Sequence, residues 1–357
     1  MVNKMLKYIN LGHSQLRVSE LCLGTMTFGE EMGIGTGEKE AGAIFEGFLR
    51  AGGNFVDTAD IYNRGTSERM LGCFIRSERD YLVVASKYSL STRADDPNAG
   101  GNHRKNLVQS LEASLRRLET PYLDLYWVHG WDPETSLTDL MRALDDQVRA
   151  GKVLHLGISN VPAWVASAAN VLARERGWTP FTAMQLHYNL IERSIERDFF
   201  ELALAQNMAI TPWSPLAGGL LTGKFDRDAP EAARIGARLA SSPFSARTRQ
   251  ERNIQVAEAL SVMARGVGCR PAQLALAWLL QRSTAVVVPI IGARSRLQLD
   301  ENLGGAQISL TAEQLQQLDA VSAPVPEYPQ SLLGSDSFQR MLHGDVRHRR
   351  KSSGNRP

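Results

Sequence analysis

Residues 54–60 read NFVDTAD, an apolar run that turns polar at Asp57, and residues 81–87, YLVVASK, repeat the pattern up to Lys87. Runs of the same make recur along the chain: LCLGT (21–25), LDLYWVHG (123–130), LHLGIS (154–159), FTAMQLHYN (181–189), MAITPWS (208–214) and VVVPIIG (286–292). Each is nearly continuously apolar over its first half, as expected of parallel strands covered on both faces. The expected ends of strands two to seven, Asp57, Lys87, His129, Ser159, Gln185 and Trp213, recur at intervals of 26 to 42 residues. That interval is the length of one strand-helix unit.

Between the runs the apolar period becomes helical. Leu107, Leu111, Leu115 and Leu118 share a face, as do Val256, Leu260 and Met263. Ser295 with Gln298 and Thr311 with Gln314 read as capping boxes, and Pro162 suits a first helical position. Eight units joined by right-handed crossovers close most simply into a barrel. The predicted fold class is therefore α/β, a (β/α)8 TIM barrel with extra C-terminal helices. The stretch KYINLGHSQLRVS (7–19) predicts an N-terminal β-hairpin across the barrel bottom, and the long interval from Trp213 to Gly292 must hold a loop and two helices. A doubly wound sheet would want a Gly-rich fingerprint directly after strand one. The nearest candidate, GIGTG (33–37), follows a loop and lacks the third glycine in register.

Composition narrows the class of function. A net charge of +2 provides no field for nucleic acid or a membrane surface. The three cysteines are far apart, without the spacing of a disulfide framework or a zinc ribbon. The N-terminal residues lack the apolar stretch of a secretory signal, and no apolar run approaches the roughly 20 residues of a membrane span. The expectation is a cytoplasmic protein with one barrel domain over 1–340. The segment 341–357 is rich in Arg, Lys, Ser and Gly, and is expected to be a disordered basic tail.

Chemistry in such barrels sits at the C-terminal ends of the strands. Taken singly, Asp57 is a turn residue, Lys87 a solvated lysine and His129 a satisfied near-core histidine. Together they form a polar ring around one barrel mouth, and burying such groups without partners costs a few kcal/mol. Packing alone does not explain the ring.

These residues carry a resemblance. DTADIYNRGTSERMLG (57–72) looks like the signature that follows strand two in aldo-keto reductases. ASK (85–87), YWVH (126–129), LGISN (156–160), MQLHYN (184–189), WSPLAGGLLTGK (213–224) and IIGARSRLQLDEN (290–302) match later segments in order. The chain is similar to that superfamily from Leu11 to about Ser322, closest in style to its bacterial and potassium-channel β-subunit-like branches.

The resemblance implies a catalytic tetrad of Asp57, Tyr62, Lys87 and His129, with NADPH as hydride source. Tyr62 would be the proton donor, Lys87 would favour its phenolate, Asp57 would hold Lys87, and His129 would orient the carbonyl oxygen. It also implies that Ser159, Asn160 and Gln185 hold the nicotinamide carboxamide while Trp213 stacks on the ring. Ser214, Leu216, Gly218 and Lys224 would clasp the pyrophosphate, with Gly24, Thr25 and Gly292 beside the cofactor. At the adenosine end, Arg294 with Ser295 would meet the 2′-phosphate and Asn302 the adenine. Gln298 stands where several branches carry an arginine, and Arg296 is a candidate to compensate.

Substrate recognition is expected on the loops 29–38, 88–103 and 217–249 and on the segment 324–340, with Phe28, Tyr88, Trp131 and Phe244 lining an apolar cleft. The activity implied is reduction of an aldehyde or ketone to an alcohol. The alternative is an NADPH-binding regulatory or sensing subunit with little turnover. A metal-dependent barrel hydrolase would want an HxH in strand one, which LCLGT lacks, and His129 and His187 have no partners at ligand spacing.

Overall fold

The computed structural model describes residues 6–225 and 248–344. Two short strands, β1 (Tyr8–Asn10) and β2 (Arg17–Ser19), pair antiparallel with Ile9 opposite Val18, giving the expected hairpin. Eight parallel strands follow: β3 (Cys22–Gly24), β4 (Phe55–Asp57), β5 (Val83–Tyr88), β6 (Leu123–Val128), β7 (Val153–Ser159), β8 (Phe181–His187), β9 (Ala209–Trp213) and β10 (Ile290–Ile291). They lie in sequential order, with β10 beside β3. Backbone bonds bridge the last seam. The Ile210 amide donates to Val286 O at 2.8 Å, and the Val288 amide donates to Ile210 O at 2.9 Å. The sheet is thus the predicted (β/α)8 barrel.

Helices fill the connections: α1 (Glu38–Arg50), α2 (Thr66–Ile75), α3 (Arg104–Leu118), α4 (Leu137–Arg149), α5 (Ala163–Arg176) and α6 (Phe199–Gln206). The interval before β10 holds α7 (Glu251–Val267) and α8 (Pro271–Leu280), and α9 (Arg296–Leu303) and α10 (Ala312–Val321) follow β10. The leucine face of α3 is buried at all four predicted positions. Thr311 and Gln314 form a reciprocal capping box. Ser295 caps α9, but Gln298 accepts from the Arg294 amide instead of closing the box. Pro162 is the cap of α5, one place before the first helical residue. Its fixed φ serves either position. Compactness divides the chain at Ser322/Ala323. The second unit carries two short helices, α11 (Gln330–Leu333) and α12 (Asp336–His343), the latter capped by Ser335.

Side chains alternate across each strand, so parity decides what a position can do. Along β5, Val83 and Ala85 belong to the barrel interior, whereas Val84 and Tyr88 belong to the layer under the helices. Lys87 shares the inward parity. Below the polar ends of the strands the barrel interior is apolar, and Phe55, Leu125 and Trp127 belong to one cluster with Leu11 and Val18 of the hairpin region. Gly157 is required there, because a Cβ would lie 2.2 Å from the Trp127 ring.

Candidate active site

At the C-terminal ends of the strands the interior turns polar. Lys87 is wholly buried, and its ammonium donates to Asp57 Oδ2, to the Thr58 carbonyl at 2.6 Å and to the Tyr62 hydroxyl at 3.1 Å. The other oxygen of Asp57 accepts from Gln185 Nε2 at 3.0 Å. Burial works against the charged lysine, but the charge of Asp57 and its hydrogen bonds outweigh that and hold the Lys87 pKa above the ordinary lysine value. Lys87 therefore stays a cation aimed at Tyr62. The Tyr62 ring meets the His129 ring edge-on, with centroids 5.9 Å apart.

His129 is neutral at physiological pH. Burial first, and the neighbouring Lys87 charge second, lower its pKa to about 3. Its backbone is fixed from three sides. The amide donates to Tyr88 O at 2.8 Å and to Ser89 Oγ at 3.1 Å, and the carbonyl accepts from Asn160 Nδ2 at 2.8 Å. Asn160 sits at a left-handed φ of 48°. Its amide also donates to Ser159 Oγ at 3.0 Å, while its oxygen accepts from the Trp213 indole at 3.1 Å. Ser159 in turn donates to Gln185 O at 2.8 Å. One face of Trp213 is covered by the His187 ring, stacked at 4.0 Å.

Asp57, Tyr62, His129, Asn160, Gln185 and Trp213 border a cavity of about 580 Å³. It reaches from Asp57, Tyr62 and His129 past Trp213 and the 214–219 turn to Arg294 and Asn302. In that turn Ser214, Ala217, Gly218 and Gly219 all have positive φ, so the chain doubles back sharply beside the cavity. Gly292 faces open space, and a Cβ there would meet nothing within 4 Å. Asn302 Nδ2 donates to Gly292 O at 3.2 Å, tying α9 to the end of β10. Among the described residues no cluster of His, Cys, Asp and Glu has the arrangement of a metal site, and no helix is long and apolar enough to cross a membrane.

A sequence profile described as "Aldo/keto reductase family" matches residues 20–323. The chain belongs to the aldo/keto reductase family. It is 36% identical to "Aryl-alcohol dehydrogenase [NADP(+)]" of Phanerodontia chrysosporium, over 93% of this chain and 90% of that one. To "Norsolorinic acid reductase B" of Aspergillus parasiticus it is 38% identical, over 91% of this chain and 86% of the relative.

Measured against the family-based expectations, the structure gathers Asp57, Tyr62, Lys87 and His129 into one cluster, with Lys87 behind the cavity wall and the other three on it. Gly24, Asn160, Gln185, Trp213, Ser214, Leu216, Gly218, Lys224, Gly292, Arg294, Gln298 and Asn302 also line the cavity. Thr25 and Ser159 do not, since both are wholly buried. The Thr25 hydroxyl is engaged with Ser67 Oγ at 2.8 Å, and Ser159 works from behind Asn160 and Gln185. Arg296 is not a lining residue, because its guanidinium pairs with Asp300 at 2.8 Å over Gly47.

The expected apolar cleft needs correction. Tyr88 follows inward-facing Lys87 and so points outward, where it is fully buried and stacked on Tyr126 at 5.3 Å. Phe28 is fully buried against Phe74 of α2, with centroids 6.1 Å apart. Trp131 packs partly buried on the core and is not a cavity residue. Phe244 lies outside the described residues, as do most of the 217–249 loop and the tail from 345. The apolar lining comes instead from Met26, Met32, Ile61 and Leu90. These are loop residues, and no periodic pattern marks their direction.

Proposed function

We propose that this chain is an NADPH-dependent oxidoreductase that reduces an aldehyde or ketone to an alcohol, with Tyr62 as proton donor. The observation that carries the reading is the Tyr62 hydroxyl, 3.1 Å from a fully buried Lys87 ammonium and on the wall of the cavity. A carbonyl that accepts hydride develops negative charge on oxygen and needs a proton there. Tyr62 delivers its phenolic proton to that oxygen, and the adjacent ammonium stabilises the phenolate left behind. Asp57 and the Thr58 carbonyl keep Lys87 charged and fixed, so little reorganisation accompanies the transfer. Neutral His129 orients the carbonyl without competing for the proton.

The residues present fit a reduced nicotinamide dinucleotide, which when bound supplies the hydride that no side chain can. The cavity lies within the usual range for ligand sites, about 300–1,000 Å³. Gln185 spends its amide nitrogen on Asp57 and keeps its carbonyl oxygen for an outside donor. Asn160, with its side chain bonded to His129, Ser159 and Trp213, keeps the indole in place beside the cavity. The tight turn at 214–219 and Lys224 suit a pyrophosphate, and Arg294 suits a 2′-phosphate by shape and charge. Asn302 would hold the adenine.

The test is loss of reduced-nicotinamide absorbance with a panel of aldehydes and ketones, run with NADPH and NADH in parallel. Substrate-dependent oxidation that favours NADPH supports the reading. Tight NADPH binding with no turnover on any carbonyl would overturn it.

A further inference from the structure

Asn63, the residue after Tyr62, belongs to a loop and yet is wholly buried. Its φ is 46°, and Arg64 and Gly65 follow at 53° and 85°. Consecutive left-handed residues with side chains are disfavoured and persist only where the surroundings hold them. Here the Asn63 side chain does the holding. Its Nδ2 donates to Met26 O at 2.9 Å and to Phe28 O at 3.0 Å, and its Oδ1 accepts from the Met32 amide at 2.9 Å. The Asn63 amide itself donates to the Met32 sulfur at 3.4 Å.

The loop so held carries Met26, Thr27 and Met32, which line the cavity together with Tyr62. Asn63 thus has its main chain joined to the phenol and its side chain joined to the facing wall. Glu31 provides a separate tether, accepting from the Thr66 hydroxyl, and that contact bypasses Tyr62.

We propose that Asn63 is a positioning residue, which locks the 26–32 wall to Tyr62 so that a carbonyl resting on the wall meets the phenolic proton at a fixed separation. The proposal rests on Tyr62 being the proton donor. Proton delivery needs hydrogen-bond reach, and a misplacement of about 1 Å costs on the order of 100-fold.

Asn63→Gly separates this role from a purely structural one, because glycine takes positive φ freely while all three side-chain bonds are lost. Full-length wild type and variant would be compared for NADPH Kd, thermal midpoint, kcat, KM and the pH profile of kcat. The expected result is an NADPH Kd within about twofold of wild type, a kcat lower by about 10- to 100-fold and a raised KM. As Tyr62 drifts from Lys87, the alkaline limb of the profile should also move to higher pH. Asn63→Asp is the second variant, in case the first folds poorly. It keeps the acceptor for Met32 but turns anionic oxygen towards the Met26 and Phe28 carbonyls, so its kcat should fall at least as far. A lowered thermal midpoint with kcat per folded molecule and pH profile unchanged would overturn the proposal. Wild type without turnover on any carbonyl would sink the reductase reading and this proposal with it, whereas normal wild-type turnover with unaffected variants sinks the proposal alone.

Discussion

The two ends of the barrel interior are made by the same strands and filled by opposite chemistry. Toward the hairpin, inward positions carry Phe55, Val83 and Leu125, in one cluster with Leu11 and Val18. One or two inward steps further on, the same strands lead to Asp57, Lys87 and His129, all buried, with Asp57 and His129 on the cavity wall and Lys87 behind it. Apolar packing tolerates loss of shape at a cost in stability, whereas a buried ion pair punishes loss of either partner. The lower half therefore holds the barrel closed, and the upper half uses that rigidity to fix charges at short range.

Lys87→Met should break the contrast most severely, since it leaves Asp57 buried beside Gln185 without its cation. Removing one partner of a buried pair costs about 3–5 kcal/mol, and carbonyl turnover should fall by orders of magnitude as well. Denaturant unfolding and steady-state rates on the same preparation would check both. Leu125→Ala, in the apolar half, should cost about 2–5 kcal/mol in unfolding free energy. Its kcat per folded molecule should stay near wild type. A large drop in kcat there would mean that the two halves are not separable.

A third test concerns Asp60, on the segment between Asp57 and Tyr62. Burial first, and the charge of buried Glu68 second, push its pKa up to about 7, against partial relief from Arg117. The ordinary value is about 4, so the folded state holds the extra proton between those values. Stability from this group is thus full below about pH 4 and is lost as pH rises towards 7. His129 has the opposite sign, because its folded pKa near 3 lies below the ordinary 6.5. Its contribution is present above 6.5 and is lost as pH falls towards 3. Asp60→Asn should remove only the first dependence, changing the slope of stability with pH by at most about 1.4 kcal/mol per unit. Unfolding midpoints from pH 4 to 8 would show it, and parallel curves for wild type and variant would contradict it.

Much of the barrel was legible because strand parity and unit spacing are written in residue type. Asp57, Lys87, His129 and Gln185 end apolar runs, and the same parity brings them to one mouth. The same parity takes Tyr88, adjacent to Lys87, out of the expected cleft and onto Tyr126. Loops have no such period, so nothing in the string GTMTFGEEMG told Met26 and Met32, on the cavity, from Phe28, in the core. Glu68 was equally hidden. It is wholly buried because Ser86 and Arg117, distant in sequence, both donate to it at 2.6 Å.

The most direct test of the account is Tyr62→Phe, which deletes one hydroxyl and leaves the Lys87–Asp57 pair in place. With a carbonyl that wild type reduces, kcat should fall by about 10²- to 10⁴-fold while NADPH Kd stays nearly unchanged. Comparable kcat in the two proteins would show that the proton comes from elsewhere and would remove Tyr62 from the role assigned to it.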